Sequence, residues 1–539
     1  MHANEQCNQS LYSALSYAPG YFLLDCAPMD AVDLTLFASR IEAVCEEMGA
    51  RLQCAAFSPN IKDRLDFSCA VFDASGELCA QAAHIPVHLG SMAYAMRDIV
   101  TAIKWQPGDM IVLNDPYYGG THLPDVTLIA PLFKDTKLVA FVANRAHHAD
   151  IGADSPGSMP ISNTLEEEGV IIPPTPLVVA GQVDEAVFAD ILQHLQHGDK
   201  ARGDFTAQIS ANHAGLQRLE ELVQVLGTTG FKQALYELND YAARLARSAL
   251  ADIPEGEYHY EDVMDDDGMG NQDILIAATV RVRGGEINVD FSGTAAQTQG
   301  NINCPLSVAA AGVYYVFRCL MPAHTPACAG SFRHIHIHAP EGCLLNAQRP
   351  AAVAAGNVET STRVVDVIMG ALAEAVPQRI PAASHGSMNN VAMGARGEAP
   401  WDYYETLGGG MGAGTEGGGL HAVQTHMTNT LNTPIEVLEM HYPLRVPRYA
   451  IRRGSGGSGD RNGGDGLVRE YEFLAPATVT LLTERRTHQP WGLNSAAAGM
   501  AGENRLNGEA LPGKTSLEVE KGDCLSVATP GGGGWSEKA

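Results

Sequence analysis

The sequence predicts an α+β protein of several domains, combining mixed and antiparallel sheets with a long helical hairpin and a β-rich, Gly-rich C-terminal part. Two observations carry this expectation. Apolar residues recur every three or four positions in some stretches and every second position in others, and these patterns alternate along the 539 residues. The 56 glycines gather late in the chain, where they punctuate strands. A chain of this length holds roughly two to four domains.

Residues 1–30 read as a leader of no clear class. A helix is expected from Asp33, because Leu34, Phe37, Ile41, Val44 and Met48 line one face while Glu42, Glu46 and Glu47 lie off it. Residues 70–72 and 78–80 read as strands joined by the turn Asp73-Ala74-Ser75-Gly76, and residues 93–103 as a helix. Residues 184–250 contain few Gly or Pro. Leu216, Leu219, Leu222, Val223 and Leu226 make one apolar face there, and Leu235, Leu238, Tyr241, Leu245 and Leu250 make another, as expected of a helical hairpin. Beyond residue 256 the period falls to two, with strands at 274–277, 280–282 and 287–291. The expected division is therefore a leader (1–30), an N-terminal α+β lobe bearing a metal site (31–183), the helical hairpin (184–255), a central α+β domain with Gly-rich loops (256–441) and a β-rich C-terminal domain (442–539).

A hydrophobic content of 45% and a charged content of 18% describe a globular chain that buries a large core. The net charge of -27 argues against nucleic-acid binding, which needs Lys and Arg to neutralise phosphates. The 11 cysteines form no C-x-x-C pair and follow no framework, which suggests reduced thiols and a cytoplasmic location. The first residues lack the basic-then-apolar order of a signal peptide, and no apolar run is long enough for a membrane span.

The stretch richest in chemistry runs from Asn114 to Asp150. Two apolar runs of strand length, 126–133 and 138–143, lie between Thr121-His122-Leu123-Pro124-Asp125 and Arg145-Ala146-His147-His148-Ala149-Asp150. An antiparallel pair brings the start of the first run beside the end of the second. Asp115, His122, Asp125, His147, His148 and Asp150 then form a ligand pool, whose mixture of imidazole and carboxylate suits zinc, manganese or iron better than calcium or magnesium. His84 and His88 flank Pro86. They either join this cluster or are loop residues packed on the proline; of the two, His88 is favoured because it leads into a helix.

Other segments bear on chemistry. Glu166-Glu167-Glu168 runs straight into an apolar segment, so that one carboxylate is drawn inward; Glu168 is the choice. Gly356-Asn357-Val358-Glu359 precedes a helix at 363–375, whose free N–H groups suit anions or carbonyls, although capping alone explains Thr360 or Ser361. Residues 421–436 are dense in hydrogen-bonding side chains and read as a substrate-handling or interface loop. Asn357, His426 and Asn429 are the expected substrate-binding residues, and Glu168 and Glu359 the expected catalytic bases. His334, His336 and His338 share one face of an alternating segment and read as a half-exposed strand. Residues 508–515 fit G-x-x-x-x-G-K-[ST], but an alternating strand follows where a phosphate loop requires a helix, so a hairpin is expected there.

From Asp33 to Trp535 the chain resembles the hydantoinase B/oxoprolinase family. The resemblance rests on residues 58–69, 84–91, 114–125, 146–152, 167–174, 356–366, 405–410, 425–439 and 530–535; residues 1–30 show no family pattern. It implies the B-type component of an ATP-dependent cyclic amidohydrolase. An actin-like hydantoinase A-type partner binds ATP and phosphorylates the carbonyl oxygen of a hydantoin, 5-oxoproline or related lactam, and the B-type component completes the hydrolysis at a divalent metal within a hetero-oligomer. Two alternatives stand beside it: the B-type component of an ATP-dependent ketone carboxylase, and a non-catalytic scaffold for the A-type partner.

Overall fold

The structure is a computed structural model that describes residues 29–82, 84–397 and 400–537. The leader expected over residues 1–30 thus lies almost wholly outside the described residues. The α+β expectation is met by four sheets and several helices.

The sheet that positions the site has seven antiparallel strands: β1 (Phe67–Asp73), β2 (Leu78–Gln81), β3 (Met110–Leu113), β4 (Asp125–Lys134), β5 (Lys137–His147), β6 (Thr175–Val179) and β7 (Gln182–Val183). Their order is β2-β1-β5-β4-β3-β6-β7. β4 and β5 are the two apolar runs around the candidate ligands. Their two-residue connection, Asp135-Thr136, has positive φ at both positions (49° and 65°), the backbone that matches strand twist in a tight hairpin. The register follows: Asp125 stands opposite His147, and Thr127 opposite Arg145. β1 lies on the other side of β5 with Phe67 opposite Ala146, which carries Asp66 to the end of β5.

One face of this sheet is covered by helix Ala31–Ala55 and by helix Gly198–Leu250, with Ile41, Met48, Val126, Leu128, Val142 and Phe205 in a common core. The second helix covers the stretch read as a helical hairpin. Its two parts meet at one residue, Gly227, whose φ of 69° and ψ of 157° are not helical. Helix Pro86–Ala102 covers the other face.

Three further sheets follow. Strands Gly256–Asp266, Gln272–Arg283, Glu286–Asp290 and Ile335–His338 form a mixed sheet, with the last pair parallel. On its histidine-bearing edge, His334 Nδ1 and His336 Nε2 each lie 2.8 Å from a Glu286 carboxylate oxygen. The third sheet takes Trp401–Glu405 and Asn390–Ala395 from before residue 442 and Ala477–Leu482 and Lys514–Val519 from after it, so strands from both expected domains share one sheet. The fourth is built wholly from strands after residue 442.

The late glycines pack backbone against backbone. A Cβ on Gly463 would lie 2.0 Å from the Gly532 carbonyl oxygen, and one on Gly410 2.0 Å from that of Gly464. Side chains are excluded there by close approach rather than by turn geometry. Among the described residues, no helix is long and apolar enough to cross a membrane.

Candidate metal centre

The hairpin register brings three donors to one point. His122 Nε2 is 3.2 Å from Asp125 Oδ1, and His147 Nδ1 is 3.3 Å from the same oxygen. His122, Asp125 and His147 are fully buried. Neither His122 nitrogen nor Asp125 Oδ1 makes a hydrogen bond. These separations suit donors that share a cation: two donors each about 2.1 Å from an ion at the tetrahedral angle lie about 3.4 Å apart. The residues present therefore fit a divalent ion, and three protein donors leave coordination positions open.

Asp125 Oδ2 faces other partners. It accepts from Thr121 Oγ1 and, at 3.3 Å, from Asn357 Nδ2, and it lies 3.2 Å from His88 Nε2. His88 in turn stands 3.9 Å from Asp66 Oδ1, and Asp66 Oδ2 is 4.0 Å from His147 Nδ1. His88 and Asp66 thus border the three donors. His84, its alternative, packs edge-on against Phe67 with ring centroids 4.9 Å apart and accepts from the Cys69 N–H.

Burial alone would lower the His122 imidazole, but the Asp125 carboxylate outweighs it and raises the group, so an incoming cation would displace a proton there. Burial alone raises the Asp125 carboxyl, but the adjoining His122 and His88 outweigh it and hold the group well below the usual range. Burial holds the His147 imidazole below its usual value despite Asp125 and Asp66, which keeps it neutral and able to donate a lone pair at neutral pH.

A small cavity of about 20 Å³ reaches the three donors at His147. That is room for about one water. His88, His147, Asp66, Asn357, Tyr404 and Thr406 line it, together with Thr428, Thr430 and four apolar side chains.

The rest of the expected ligand pool points elsewhere. His148 follows His147 in an extended segment, where successive side chains face opposite ways. Its Nε2 lies 2.9 Å from Gln208 Oε1, and its ring sits 4.5 Å from that of Phe205 in the helix behind the sheet. Asp150 braces its own loop, accepting from the Gly152 and His197 N–H groups. Asp115 caps the short helix Pro116–Tyr118 through the Tyr117 N–H and pairs with Arg349. The structure does not bring these three residues to the point where His122, Asp125 and His147 meet.

The expected bases are both buried. Glu168 Oε1 accepts from Ser162 Oγ and from the Val353 and Ala354 N–H groups, while Oε2 has no partner. Burial pushes its carboxyl up to about 7. Glu359 Oε1 accepts from the Met388 N–H and from Asn390 Nδ2, and its Oε2 is likewise unpartnered. Burial and the neighbouring Glu484 raise it to about 8. Neither Glu lines the cavity. Of the expected substrate residues, Asn357 lines it, His426 is buried with Nδ1 3.4 Å from the Tyr315 hydroxyl, and Asn429 is exposed between Thr428 and Thr430.

Sequence reasoning does not single out Asp66, Tyr404 or Thr406. For Asp66 the signal is the register of β1 on β5, which no local pattern reveals. Tyr404 and Thr406 reach the site from a separate sheet.

Residues 508–515 connect strand Glu509–Leu511 to strand Lys514–Val519, and Lys514 Nζ is 2.5 Å from Glu484 Oε1. The glycine–lysine motif lies in a strand connection with its ammonium bound to a buried carboxylate.

Residues 30–538 match the family described as Hydantoinase B/oxoprolinase. The chain is 39% identical to 5-oxoprolinase 1 of Arabidopsis thaliana across 94% of its own length, and spans 42% of that protein. It is 31% identical to the B component of a putative D-/L-hydantoinase from a Pseudomonas species, covering 95% of this chain and 90% of the other. Its fold superposes on the crystal structure of an ATP-dependent caprolactamase from Pseudomonas jessenii with a TM-score of 0.89 and 28% identity, over 95% of this chain and 92% of that one. The chain belongs to the hydantoinase B/oxoprolinase family.

Proposed function

We propose that this chain is the hydrolytic B-type component of an ATP-dependent cyclic amidohydrolase acting on a hydantoin, 5-oxoproline or a related lactam. The observation that carries the reading is the meeting of His122 Nε2, Asp125 Oδ1 and His147 Nδ1 beside a lined cavity. The names of the relatives, 5-oxoprolinase, D-/L-hydantoinase and ATP-dependent caprolactamase, support a cyclic amide as substrate. Two histidines and one carboxylate with open positions suit zinc, manganese or iron(II).

An ion held there supplies Lewis acidity and acidifies water toward neutrality. The chain's own residues supply the rest. Asn357 and the hydroxyls of Thr406, Thr428 and Thr430 line a cavity with room for about one water, so an amide ring would enter only if the cavity widened. Asp66 and His88, which border the three donors, are placed to accept a proton there. Glu168 and Glu359, raised toward neutrality, are the buried carboxyls suited to hold a proton, and both stand outside the cavity lining. ATP is assigned to a hydantoinase A-like partner, which phosphorylates the carbonyl oxygen and makes an unstrained amide open to attack. The lysine of this chain's phosphate-loop-like motif is committed to Glu484.

The test is to purify the chain with its A-type partner, measure bound metal, and screen cyclic amides with ATP. H147A is expected to abolish ring opening while the partner's ATP turnover persists. Product formation by H147A at the wild-type rate would defeat the proposal.

A further inference from the structure

His147 ends β5, and its backbone is held by the Asp125 pairing and by a hydrogen bond from its N–H to the Asp66 carbonyl. Its ring is not held in the usual way. A ligating imidazole normally anchors its other nitrogen to a carboxylate or carbonyl, yet His147 Nε2 is buried without a partner. What meets the ring is Tyr404, whose plane lies 5° from that of the imidazole with centroids 4.8 Å apart.

Tyr404 is itself fixed at several points. Its strand pairs with Asn390–Ala395, placing it opposite Ala392. Its carbonyl accepts from Arg64 Nη1 at 2.9 Å, and the Arg64 guanidinium stands 4.8 Å from the ring centroid. Its hydroxyl donates to Asn390 Oδ1 at 2.7 Å, and Asn390 Nδ2 donates to Glu359 Oε1 at 2.7 Å. Tyr404, Asn390 and Glu359 are all buried.

We propose that Tyr404 is the positioning residue of the metal centre: the face of its ring, supplied by a different sheet, sets the plane of the His147 imidazole and aims Nδ1 at the shared cation. This inference rests on the metal-site reading above. Loss of an outer partner of a ligating histidine typically weakens metal binding about 10–100-fold. The hydroxyl tether is secondary, since it positions the ring and does not touch the ligand.

The test is titration of the purified full chain with Co2+, read by calorimetry and by visible absorption, for wild type, Y404F, Y404L and H147A. Y404L is expected to weaken binding about tenfold or more and to alter the absorption envelope. Y404F, which keeps the ring, is expected to stay within about threefold of wild type. H147A is expected to lose binding. Wild-type affinity and spectrum in Y404L would overturn the proposal, as would a loss above tenfold in Y404F, which would assign the effect to the hydroxyl. The second comparison stands even if Y404L does not fold. Unchanged binding in H147A would instead overturn the metal-site reading.

Discussion

Asp125 and His147 face each other as a directly opposed pair at the open end of the β4–β5 hairpin, with Oδ1 and Nδ1 3.3 Å apart. A one-residue slip of this register would send each side chain to the other face of the sheet. The same pairing separates His147 from His148, its neighbour in sequence.

That separation yields the first prediction. D125A and H147A should each lose tightly held metal after dialysis, because each removes one of three donors. H148A should keep its metal and lose stability by about 1–3 kcal/mol, because Gln208 and the Phe205 ring lose their partner. Elemental analysis and urea unfolding check both; loss of metal in H148A would redraw the ligand set.

Glu168 makes stability depend on pH. Its folded pKa of about 7 exceeds the ordinary carboxylate value of 4.5, with burial as the leading cause. The native state therefore binds more protons than the unfolded chain between those values. This contribution is fully present below pH 4.5 and is lost as pH rises to about 7. E168Q should remove that slope, so the stability difference between E168Q and wild type should shift in favour of the variant by about 3 kcal/mol from pH 4.5 to 7.5. Denaturant titrations at the two pH values measure it, and a constant difference would refute it.

Lys514 separates two readings of residues 508–515. Replacing it with Met should cost about 3 kcal/mol, because Glu484 is left buried with its nearest cation gone. A phosphate-binding lysine would instead show unchanged stability and lost nucleotide affinity. Thermal unfolding of K514M with and without ATP distinguishes the two.

Two glycines should respond differently to alanine. At Gly508, φ is +87° with open space around the missing Cβ, so G508A should cost about 1–2 kcal/mol of backbone strain. At Gly463 the new methyl would lie 2.0 Å from a backbone oxygen, and no side chain can move aside. G463A should cost about 3 kcal/mol or more, or prevent folding. Equal unfolding midpoints for the two variants would contradict this account.

Much of this was legible in the sequence because it was local. The helix from Ala31 follows the spacing of Phe37, Ile41, Val44 and Met48, and the β4–β5 hairpin follows two apolar runs with a short polar break. His122, Asp125 and His147 sit at the ends of that hairpin, so a local pattern could place them. His148 and Asp150 share the same few residues, and only the helix behind the sheet and the loop at Gly152 show where they bond instead. Asp66 and Tyr404 were hidden for the opposite reason. Their relation to the site depends on β1 packing on β5 and on a strand that begins at Trp401, and no short-range periodicity encodes such contacts.

The distance along the chain between His147 and Tyr404 also dictates an order of events during synthesis. At about 5–20 residues per second, the three donors leave the ribosome some tens of seconds before the ring that steadies them. For that interval the nascent hairpin offers imidazoles and a carboxylate to any cation nearby. The proposed centre is therefore complete only in the finished molecule, when the last parts of the cavity wall, as far as Thr430, have been made and docked.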